Sequence, residues 1–449
     1  MAKNNHKVGE SLPLARTSSL ATPSSGGHPR NAPESAPLVA PYELPDGWKG
    51  SRLGDCATYI NGRAFKPEEW ETQGKPIIRI QNLTNTSDSV NRTTKQFEEK
   101  YLIKNNDLLY AWSASLGAHI WHDEDGWLNQ HIFKVVPNDQ ISKMYLYYSL
   151  VRVTDNLYAK AHGSGMVHVT LKPFLNTTIP LPPTLAEQQR IVNRIETMFA
   201  KLDQAQEKAQ AVLDSFETRK AAILHKAFTG ELTASWRKEN GVLDDSWEEK
   251  KLEEVCDFIT KGTTPKKEDM SIGTGDIPYI KVYNLCFDTN LDFTIDPTFV
   301  KLESHKTFLA RSITLPGDVL MNIVGPPFGK ISIVPDTYPE WNINQAIARF
   351  RCKPELYNVY LANYLISPKT NENMSRQIKT TAGQQNLTLE ICRNMTIPVP
   401  SLPEQQEIVR ILDTVLEKES RAKEAAGAVL YQIALLKKSI LARAFRGKI

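Results

Sequence analysis

The sequence predicts an α+β fold in which two globular domains of mixed helix and strand are separated by two long antiparallel coiled-coil helices. Three observations predict this fold. The chain repeats itself with a period near 217 residues. Each copy ends in a long stretch with apolar residues at helical spacing, and the part before that stretch alternates short β-type segments with turns. Together they indicate a pseudo-twofold internal repeat.

Composition bounds the class of protein. The chain has 449 residues, with 54 Lys+Arg against 51 Asp+Glu and a formal net charge of +3, which suits two or three domains. Its five scattered cysteines form no Cys-x-x-Cys pair, so a disulfide framework or a zinc ribbon is not predicted. No apolar run approaches the ~18–20 residues of a membrane helix, and no signal-peptide core opens the chain. We therefore expect a cytoplasmic protein without a membrane partner.

The order of segments follows from composition and from the repeat. Residues 1–43 are rich in Ser, Pro, Ala and Gly, which predicts a disordered tail. The first globular domain, here the first head, is expected at 44–186 and the first long helix at 187–236. The second head is expected at 237–403 and the second helix at 404–449.

The heads contain the β-type segments. Alternating apolar residues predict strands at Ile77–Ile80, His131–Val136, Tyr279–Val282, Ile331–Val334 and Ala348–Arg351. Short helices are expected at Tyr145–Val153 and Val359–Leu365. This mixture favours an α+β class over an alternating βαβ class.

The repeat is strongest in the two long helices. Residues 187–230 and 404–447 align without gaps and share 19 of 44 positions. Both copies begin with Glu-Gln-Gln-x-Ile-Val, and both end with Ala-Phe-x-Gly, where Gly230 and Gly447 are expected to end the helices. Weaker matches pair Arg79 with Lys281 and the Pro-x-Pro at 180–182 with that at 398–400.

Each long helix carries an apolar seam. A rod of forty-odd residues, roughly 60 Å long at ~1.5 Å per residue, cannot bury such a seam alone. We expect it to pack antiparallel on its own repeat; the alternative is that each helix lies on its own head. The residues expected to pack are Ile191, Ile195, Leu202, Val212 and Phe216 in the first helix, and Ile408, Leu412, Val429, Ile433 and Ile440 in the second.

No motif in the chain predicts catalysis, a cofactor or a metal. Gly325-Pro326-Pro327-Phe328 lacks the side-chain acceptor with which an amino-methyltransferase motif begins, and Gly329-Lys330 is not followed by Ser or Thr as in a P-loop. His119 and His122 would point to opposite faces of a strand, which disfavours joint metal ligation. A binding protein is therefore expected rather than an enzyme.

The Pro-x-Pro junction followed by Glu-Gln-Gln-x-Ile-Val, occurring twice, resembles the DNA-specificity subunit of a type I restriction–modification enzyme. The resemblance covers about 44–447. It implies that each head is a target-recognition domain reading one half of a bipartite sequence in double-stranded DNA. It also implies that the helices form a spacer on which two methyltransferase subunits dock, with two restriction–translocase subunits joining. S-adenosylmethionine, ATP and Mg²⁺ would then belong to those partner subunits.

Candidate DNA contacts are basic, amide, hydroxyl and aromatic side chains on turns, many of them near glycines that let the backbone approach phosphate. The repeat-matched Arg79 and Lys281 could instead be structural, and base reading is expected more of Arg63, Lys66, Lys266 and Lys267. An exposed, solvated charge is the ordinary alternative for each lysine and arginine. The full set is Asn61, Arg63, Lys66, Arg79, Trp112, Ser113, Ser115 and Lys160 in the first head, and Lys261, Lys266, Lys267, Lys281, Asn322, Lys330, Lys379, Gln384 and Gln385 in the second.

Two interpretations compete. Unlike heads on like helices favour a specificity subunit that reads two different DNA words, since identical heads would suit a palindrome. The alternative is a coiled-coil scaffold protein with two protein-binding heads.

Overall fold

The computed structural model describes residues 43–84, 89–160, 170–325, 328–377, 379–381 and 384–449. Nearly all of the expected tail at 1–43 lies outside the described residues. The chain divides into two compact units. One contains the described residues up to Ala209 together with Ala428–Ile449, and the other contains Gln210–Gly427.

The first head is a mixture of short strands and helices. A four-stranded sheet has the order β2-β9-β6-β7, a second has the order β4-β3-β8-β5, and β1 pairs with β10. The strands are β1 (Lys49–Arg52), β2 (Ala57–Asn61), β3 (Lys75–Ile78), β4 (Arg92–Thr93), β5 (Leu102–Ile103), β6 (Leu108–Ala111), β7 (Gly117–Ile120), β8 (Gly126–Leu128), β9 (Ile132–Pro137) and β10 (Thr178–Leu181). The helices are α1 (Leu53–Cys56), α2 (Ile80–Leu83), α3 (Lys143–Lys160) and α4 (Leu171–Leu175).

The first long helical segment is not continuous. It consists of α5 (Leu185–Asp214) and α6 (Phe216–Phe228), followed by the short α7 (Ala234–Asn240). The break falls at Ser215, whose hydroxyl bonds back to the carbonyl of Ala211. Ser215 N also donates to this carbonyl at 3.1 Å, so the hydroxyl adds a second bond to it, and such back-bonding bends helices.

The second head repeats the architecture of the first. Its four-stranded sheet has the order β12-β21-β17-β19, a five-stranded sheet has the order β13-β15-β14-β20-β16, and β11 pairs with β24. The helices are α8 (Leu252–Val255), α9 (Leu302–Lys306), α10 (Asn358–Leu365), α11 (Pro368–Gln377) and α12 (Leu389–Asn394), and the second long helix is α13 (Leu402–Ala444). The strands are β11 (Glu248–Lys251), β12 (Cys256–Lys261), β13 (Met270–Ile272), β14 (Ile277–Ile280), β15 (Thr298–Val300), β16 (Ile313–Thr314), β17 (Val319–Asn322), β18 (Val324–Gly325), β19 (Ile331–Ile333), β20 (Trp341–Ile343), β21 (Ile347–Cys352), β22 (Lys379–Thr381), β23 (Gln384–Asn386) and β24 (Thr396–Val399).

Both heads share a hydrogen-bonded junction with the start of a long helix. In the first unit Gln188 is buried, accepts from Ser142 N at 2.8 Å and donates to the Gln140 carbonyl at 2.9 Å. In the second unit Gln405 is buried, accepts from Tyr357 N at 2.8 Å and donates to the Glu355 carbonyl at 2.9 Å. These are the first glutamines of the two Glu-Gln-Gln motifs, so the motif fastens each helix to its head.

The Ala-Phe-x-Gly motifs also have a packing role. In the second unit Phe228 lies in the core of the second head, edge-on to Tyr360 and Tyr364 at 5.3 and 5.1 Å. In the first unit Phe445 lies in the core of the first head, 5.2 Å from Tyr145. The alternative of a helix lying only on its own head is therefore wrong at the helix ends, because each motif packs into the core of the other head.

The helix ends follow the predicted glycines. Gly230 and Gly447 have φ of +82° and +67°, values that favour glycine. At the second end Lys448 N donates to the Arg443 carbonyl and Gly447 N donates to the Ala444 carbonyl, both at 3.0 Å. This pair of bonds is a Schellman motif.

The seam residues are largely covered, with one departure. Ile191, Ile195, Ile408, Leu412 and Ile433 are buried, and Leu202, Val212, Phe216 and Ile440 are half-buried. Val429 is instead 43% exposed, and the covered positions on either side of it are Ala426, Leu430 and Ile433. Residues 428–430 are three consecutive apolar residues, so helical spacing alone is compatible with either Val429 or Leu430 in the seam. In the structure Leu430 faces the seam and Val429 faces outward.

The sequence predicted no segment long and apolar enough to cross a membrane, and the second long helix departs from that prediction. By length and composition alone, α13 is apolar enough to cross a membrane, and 22% of its most apolar 18-residue window is buried. One such helix is weak evidence for a membrane span, and Ile433 and Leu441 of this helix are buried within the first unit.

Candidate nucleic-acid interface

Loops of the first head gather at one edge of its four-stranded sheet. β2 ends at Asn61 opposite Phe133, and β6 ends at Ala111 opposite Ile132 and Gly117. The loops that follow β2 and β6 and that precede β9 therefore lie together. Because the Gln188 junction lies beyond the other end of β9, this edge points away from the start of α5. We call it the loop edge of the first head.

A tryptophan organises this loop edge. Trp112 Nε1 donates to Asn61 Oδ1 at 3.1 Å, and the indole stacks on Phe133 with ring centroids 5.6 Å apart. Ser115 is exposed beside it, whereas Ser113 is only 7% exposed. Burial makes Ser113 a poorer DNA contact than predicted, since base and phosphate contacts require an accessible side chain.

Arg63 lies at the same edge but is held by the protein. Its guanidinium bonds to Glu69 Oε1 at 2.9 Å and lies 4.2 Å from the Phe97 ring. Its backbone can approach β8 because Gly62 has no side chain: a Cβ there would lie 2.0 Å from the Asn129 carbonyl oxygen. An arginine held in this way supports the loop, and it departs from the free reader expected from the sequence. Lys66 is exposed on the same turn.

The matched pair Arg79 and Lys281 has the same backbone setting in both heads. Arg79 N donates to Asn82 Oδ1 at 3.0 Å, and Lys281 N donates to Asn284 Oδ1 at 2.9 Å. The two amides therefore hold the turn after β3 and β14. The cationic side chains are half-buried and lie over Trp70 and Tyr283, each 5.6 Å from the ring centroid.

The second head has a corresponding loop edge. β12 ends at Lys261 opposite Ala348, and β17 ends at Asn322 opposite Ile347. Lys261 is exposed, and Lys330 is half-buried with its ammonium 3.4 Å from the Val282 carbonyl. Asn322 departs from the prediction, because it is fully buried and its Oδ1 accepts from Lys330 N at 2.9 Å. It shapes the edge and is not accessible to DNA.

The remaining candidates lie on turns or on a hairpin. Lys266 and Lys267 are exposed next to β13, and Lys266 lies 3.8 Å from Glu268. Strands β22 and β23 form a hairpin on β18 that carries Lys379, Gln384 and Gln385. The side chains of these three residues lie outside what the structure describes, as does that of Lys160, the last residue of α3.

Sequence reasoning missed several side chains near these edges. Trp70, Tyr283 and Phe287 are 42%, 37% and 53% exposed, and Arg311 Nε donates to Thr263 Oγ1 at 3.0 Å next to Lys261 and Gly262. An aromatic residue in a sequence is more often core than surface, so only the structure could separate these three from the aromatic core.

The described residues hold no group of three or more His, Cys, Asp or Glu side chains placed to bind a metal ion. Burial lowers the pKa of His119 to about 4, which leaves its ring neutral near pH 7. The arrangement offers hydrogen-bond donors, cations and aromatic faces, which are the elements of nucleic-acid recognition.

Comparison with known proteins gives the family. The family model for the type I restriction modification DNA specificity domain matches 45–213 and 244–425, more than half of the chain. The EcoBI specificity subunit of Escherichia coli is 27% identical over 425 residues, covering 90% of this chain and 86% of that protein. The MjaVIII specificity subunit of Methanocaldococcus jannaschii is 27% identical, covering 90% and 94%.

Two solved structures share the fold. One belongs to a study of complex assembly and conformational transition of a type I restriction–modification system, with a TM-score of 0.69 and 20% identity over 91% of this chain and 100% of that one. The other is the HsdS subunit of Thermoanaerobacter tengcongensis, with a TM-score of 0.57 and 21% identity over 91% and 99%. With two matched copies of the domain and relatives that align along nearly their whole length, the chain belongs to the type I restriction–modification DNA specificity family.

Proposed function

We propose that this chain is the non-catalytic DNA sequence-specificity subunit of a type I restriction–modification complex. Its two heads would each read one word of an asymmetric bipartite target in double-stranded DNA. Family membership and the specificity-subunit relatives support the proposal. DNA binding would belong to this chain, and adenine-N6 methylation and ATP-dependent cleavage would belong to its partners.

One observation carries the proposal: the heads share a framework but differ where their loops are exposed. The Gln188 and Gln405 junctions are the same, and the β2-β9-β6-β7 sheet of the first head has the same strand order as the β12-β21-β17-β19 sheet of the second. The loop edges differ, with Asn61 and Trp112 in one head and Lys261 and the β18-β23-β22 sheet in the other. A common frame with different edges is what two different DNA words require.

The long helices would act as the spacer, paired as an antiparallel coiled coil. Within the first unit, Arg190 bonds to the Ile449 carbonyl and Lys437 bonds to Asp203 at 2.5 Å. Within the second unit, Arg219 pairs with Glu419 at 2.7 Å. In the first unit, residue numbers rise from Arg190 to Asp203 along the first helix, while those of their partners fall from Ile449 to Lys437. This order supports an antiparallel arrangement of the two helices there.

The outer face of α13 supports docking of two methyltransferase subunits. Apolar side chains on the part of this helix in the first unit are 43–63% exposed, which marks an interaction surface. The exposed side chains are Val429, Tyr431, Leu435 and Leu436.

S-adenosylmethionine, ATP and Mg²⁺ would be held by the methyltransferase subunits and by two restriction–translocase subunits.

The test is to co-express the chain with the adenine methyltransferase of the same locus. Co-purification and methylated adenines confined to one split, asymmetric DNA sequence are the expected results. A chain that binds no methyltransferase, or methylation without a split sequence, would contradict the proposal. The scaffold alternative, with two protein-binding heads, finds no support in the family match.

A further inference from the structure

Exposed aromatic side chains recur beside cations in both heads. Trp70, next to Arg79, is 42% exposed, and Tyr283, next to Lys281, is 37% exposed. Phe287 is 53% exposed with the Lys330 ammonium 5.8 Å from its ring centroid. Arg79 and Lys281 occupy matched positions of the repeat, whereas the aromatic residues come from different places: Trp70 precedes β3 and Tyr283 follows β14.

The loop that carries Tyr283 and Phe287 is fixed. Asn284 is 1% exposed, and its amide donates to the carbonyls of Asp292 and Ile295, both at 2.9 Å. Ile331 N donates to the Cys286 carbonyl at 3.1 Å, which holds the loop against β19. The rings are therefore held outward by a tied backbone.

The carboxylates near these rings are bonded to groups other than Arg79, Lys281 and Lys330. Glu69 and Glu71, which flank Trp70, are bonded to Arg63 and to Thr94. Asp292 accepts from the backbone and hydroxyl of Thr294. Arg79, Lys281 and Lys330 thus stand beside exposed rings, while these acids are engaged in turns.

We propose that these pairs contact DNA, with the matched cations Arg79 and Lys281 on phosphates and the unmatched aromatics Trp70, Tyr283 and Phe287 on bases of each head's own word. An aromatic face or edge can stack on a base, wedge a step or contact a thymine methyl. The cation would be common to both heads and independent of sequence, and the aromatic residue would help to set what each head prefers. This inference rests on the proposed function.

The experiment uses the complex of this chain with its methyltransferase and a library of duplexes randomised at the target positions. Trp70→Ala should weaken binding to the wild-type target about 5- to 100-fold and relax base preference in one word only. Tyr283→Ala or Phe287→Ala should relax preference in the other word only. Arg79→Ala and Lys281→Ala should weaken all sequences alike and flatten the salt dependence of binding.

Phe308→Ala is the matched control, since this ring is 61% exposed in the second head, and it should leave both affinity and preference unchanged. Tyr283→Phe and Trp70→Phe should restore most of the selectivity, which a folding defect would not allow. Aromatic variants with wild-type affinity and preference would overturn this inference while leaving the proposed function intact. A wild-type complex that selects no split word would instead overturn the proposed function.

Discussion

At the scale of single residues, the three residues of the Glu-Gln-Gln motif differ in their burial and in their contacts. The first glutamine is buried in both copies and closes the head–helix junction, whereas the second, Gln189 or Gln406, is exposed. The glutamate differs between copies: Glu404 is fully buried against Arg237 at 2.8 Å, while Glu187 is partly exposed and pairs with Arg190. The same three letters therefore support different contacts.

Replacing Gln405 should loosen the junction of the second head. Gln405→Ala leaves Tyr357 N without its acceptor and removes donors to Glu355 and Pro400. Stranding a buried donor costs about 1–3 kcal/mol, so the free energy of unfolding should fall by about that much in denaturant titration. Gln406→Ala, on the exposed side of the same turn, should change it by under about 0.5 kcal/mol. An effect of Gln405→Ala as small as that of Gln406→Ala would mean that the junction contributes nothing to the free energy of unfolding.

Glu404 should matter more than its repeat partner Glu187. Burial opposes the charged form of Arg237, yet bonds from Glu404 and Asp244 raise the pKa of this guanidinium above its ordinary value. Glu404→Ala would leave that buried cation with only the exposed Asp244 carboxylate as an acidic partner, at a cost of up to about 3–5 kcal/mol. Glu187→Ala, which breaks a more exposed pair, should cost about 0–1 kcal/mol. Thermal unfolding of the two variants compares them directly, and similar shifts in Tm would contradict the role assigned to burial.

The sequence was a good guide to backbone features at this scale and a poor one to side-chain exposure. Gly230 and Gly447 were predicted as helix ends and have the positive φ that this requires. Asn322 and Ser113 were predicted as DNA contacts, but they are buried. Periodicity shows which residues of a strand share a face. The exposure of a polar side chain on that face depends on strands and loops distant in sequence, such as the Lys330 turn that covers Asn322.

At the scale of elements, local periodicity predicted most segments and missed their interruptions. The strand expected at Ala348–Arg351 is β21 (Ile347–Cys352), and the helix expected at Tyr145–Val153 runs from Lys143 to Lys160. The break at Ser215 was not predicted, because it depends on the Ser215 hydroxyl and on Arg219 bonding back to the Val212 carbonyl. Two-residue strands such as β4 and β5 are set by their neighbours in the sheet and carry no period of their own.

The exposed face of α13 gives a prediction about docking. Leu436→Lys places a charge on an apolar face whose residue is 48% exposed. If a methyltransferase helix packs there, burying that charge should abolish co-purification of the two proteins on a tagged specificity subunit. Leu243→Lys is the control, because Leu243 is 73% exposed and lies between the helix α7 and the strand β11. Retained co-purification of the Leu436 variant would move the docking surface elsewhere.

At the scale of the whole molecule, the two units are built alike from separate stretches of chain. The second combines its head with the end of the first long segment and the start of α13, and the first combines its head with the start of α5 and the end of α13. The repeat in the sequence predicted two similar halves. It did not predict that the Phe of each Ala-Phe-x-Gly motif completes the core of the other half, because the repeat says nothing about which copy a motif contacts.

If the helices set the distance between the two DNA words, their length should set the gap. Seven residues preserve the phase of a seam with a period of 3.5 and add about 10 Å of helix. One heptad inserted at Ala209–Gln210 and another at Gly427–Ala428, where the helices pass from one unit to the other, should widen the unread gap by about three base pairs at ~3.4 Å each. Both words should stay the same, because the heads are untouched.

Methylated-adenine mapping of DNA from cells that carry the variant complex reads the gap and both words at once. Four residues inserted in one helix only are the matched control, since they shift one seam against the other and should reduce methylation instead of moving it. A double-heptad variant that methylates the wild-type gap would show that the distance between the words is set by something other than the helices, and the spacer role would fail while the reading role of the heads stood.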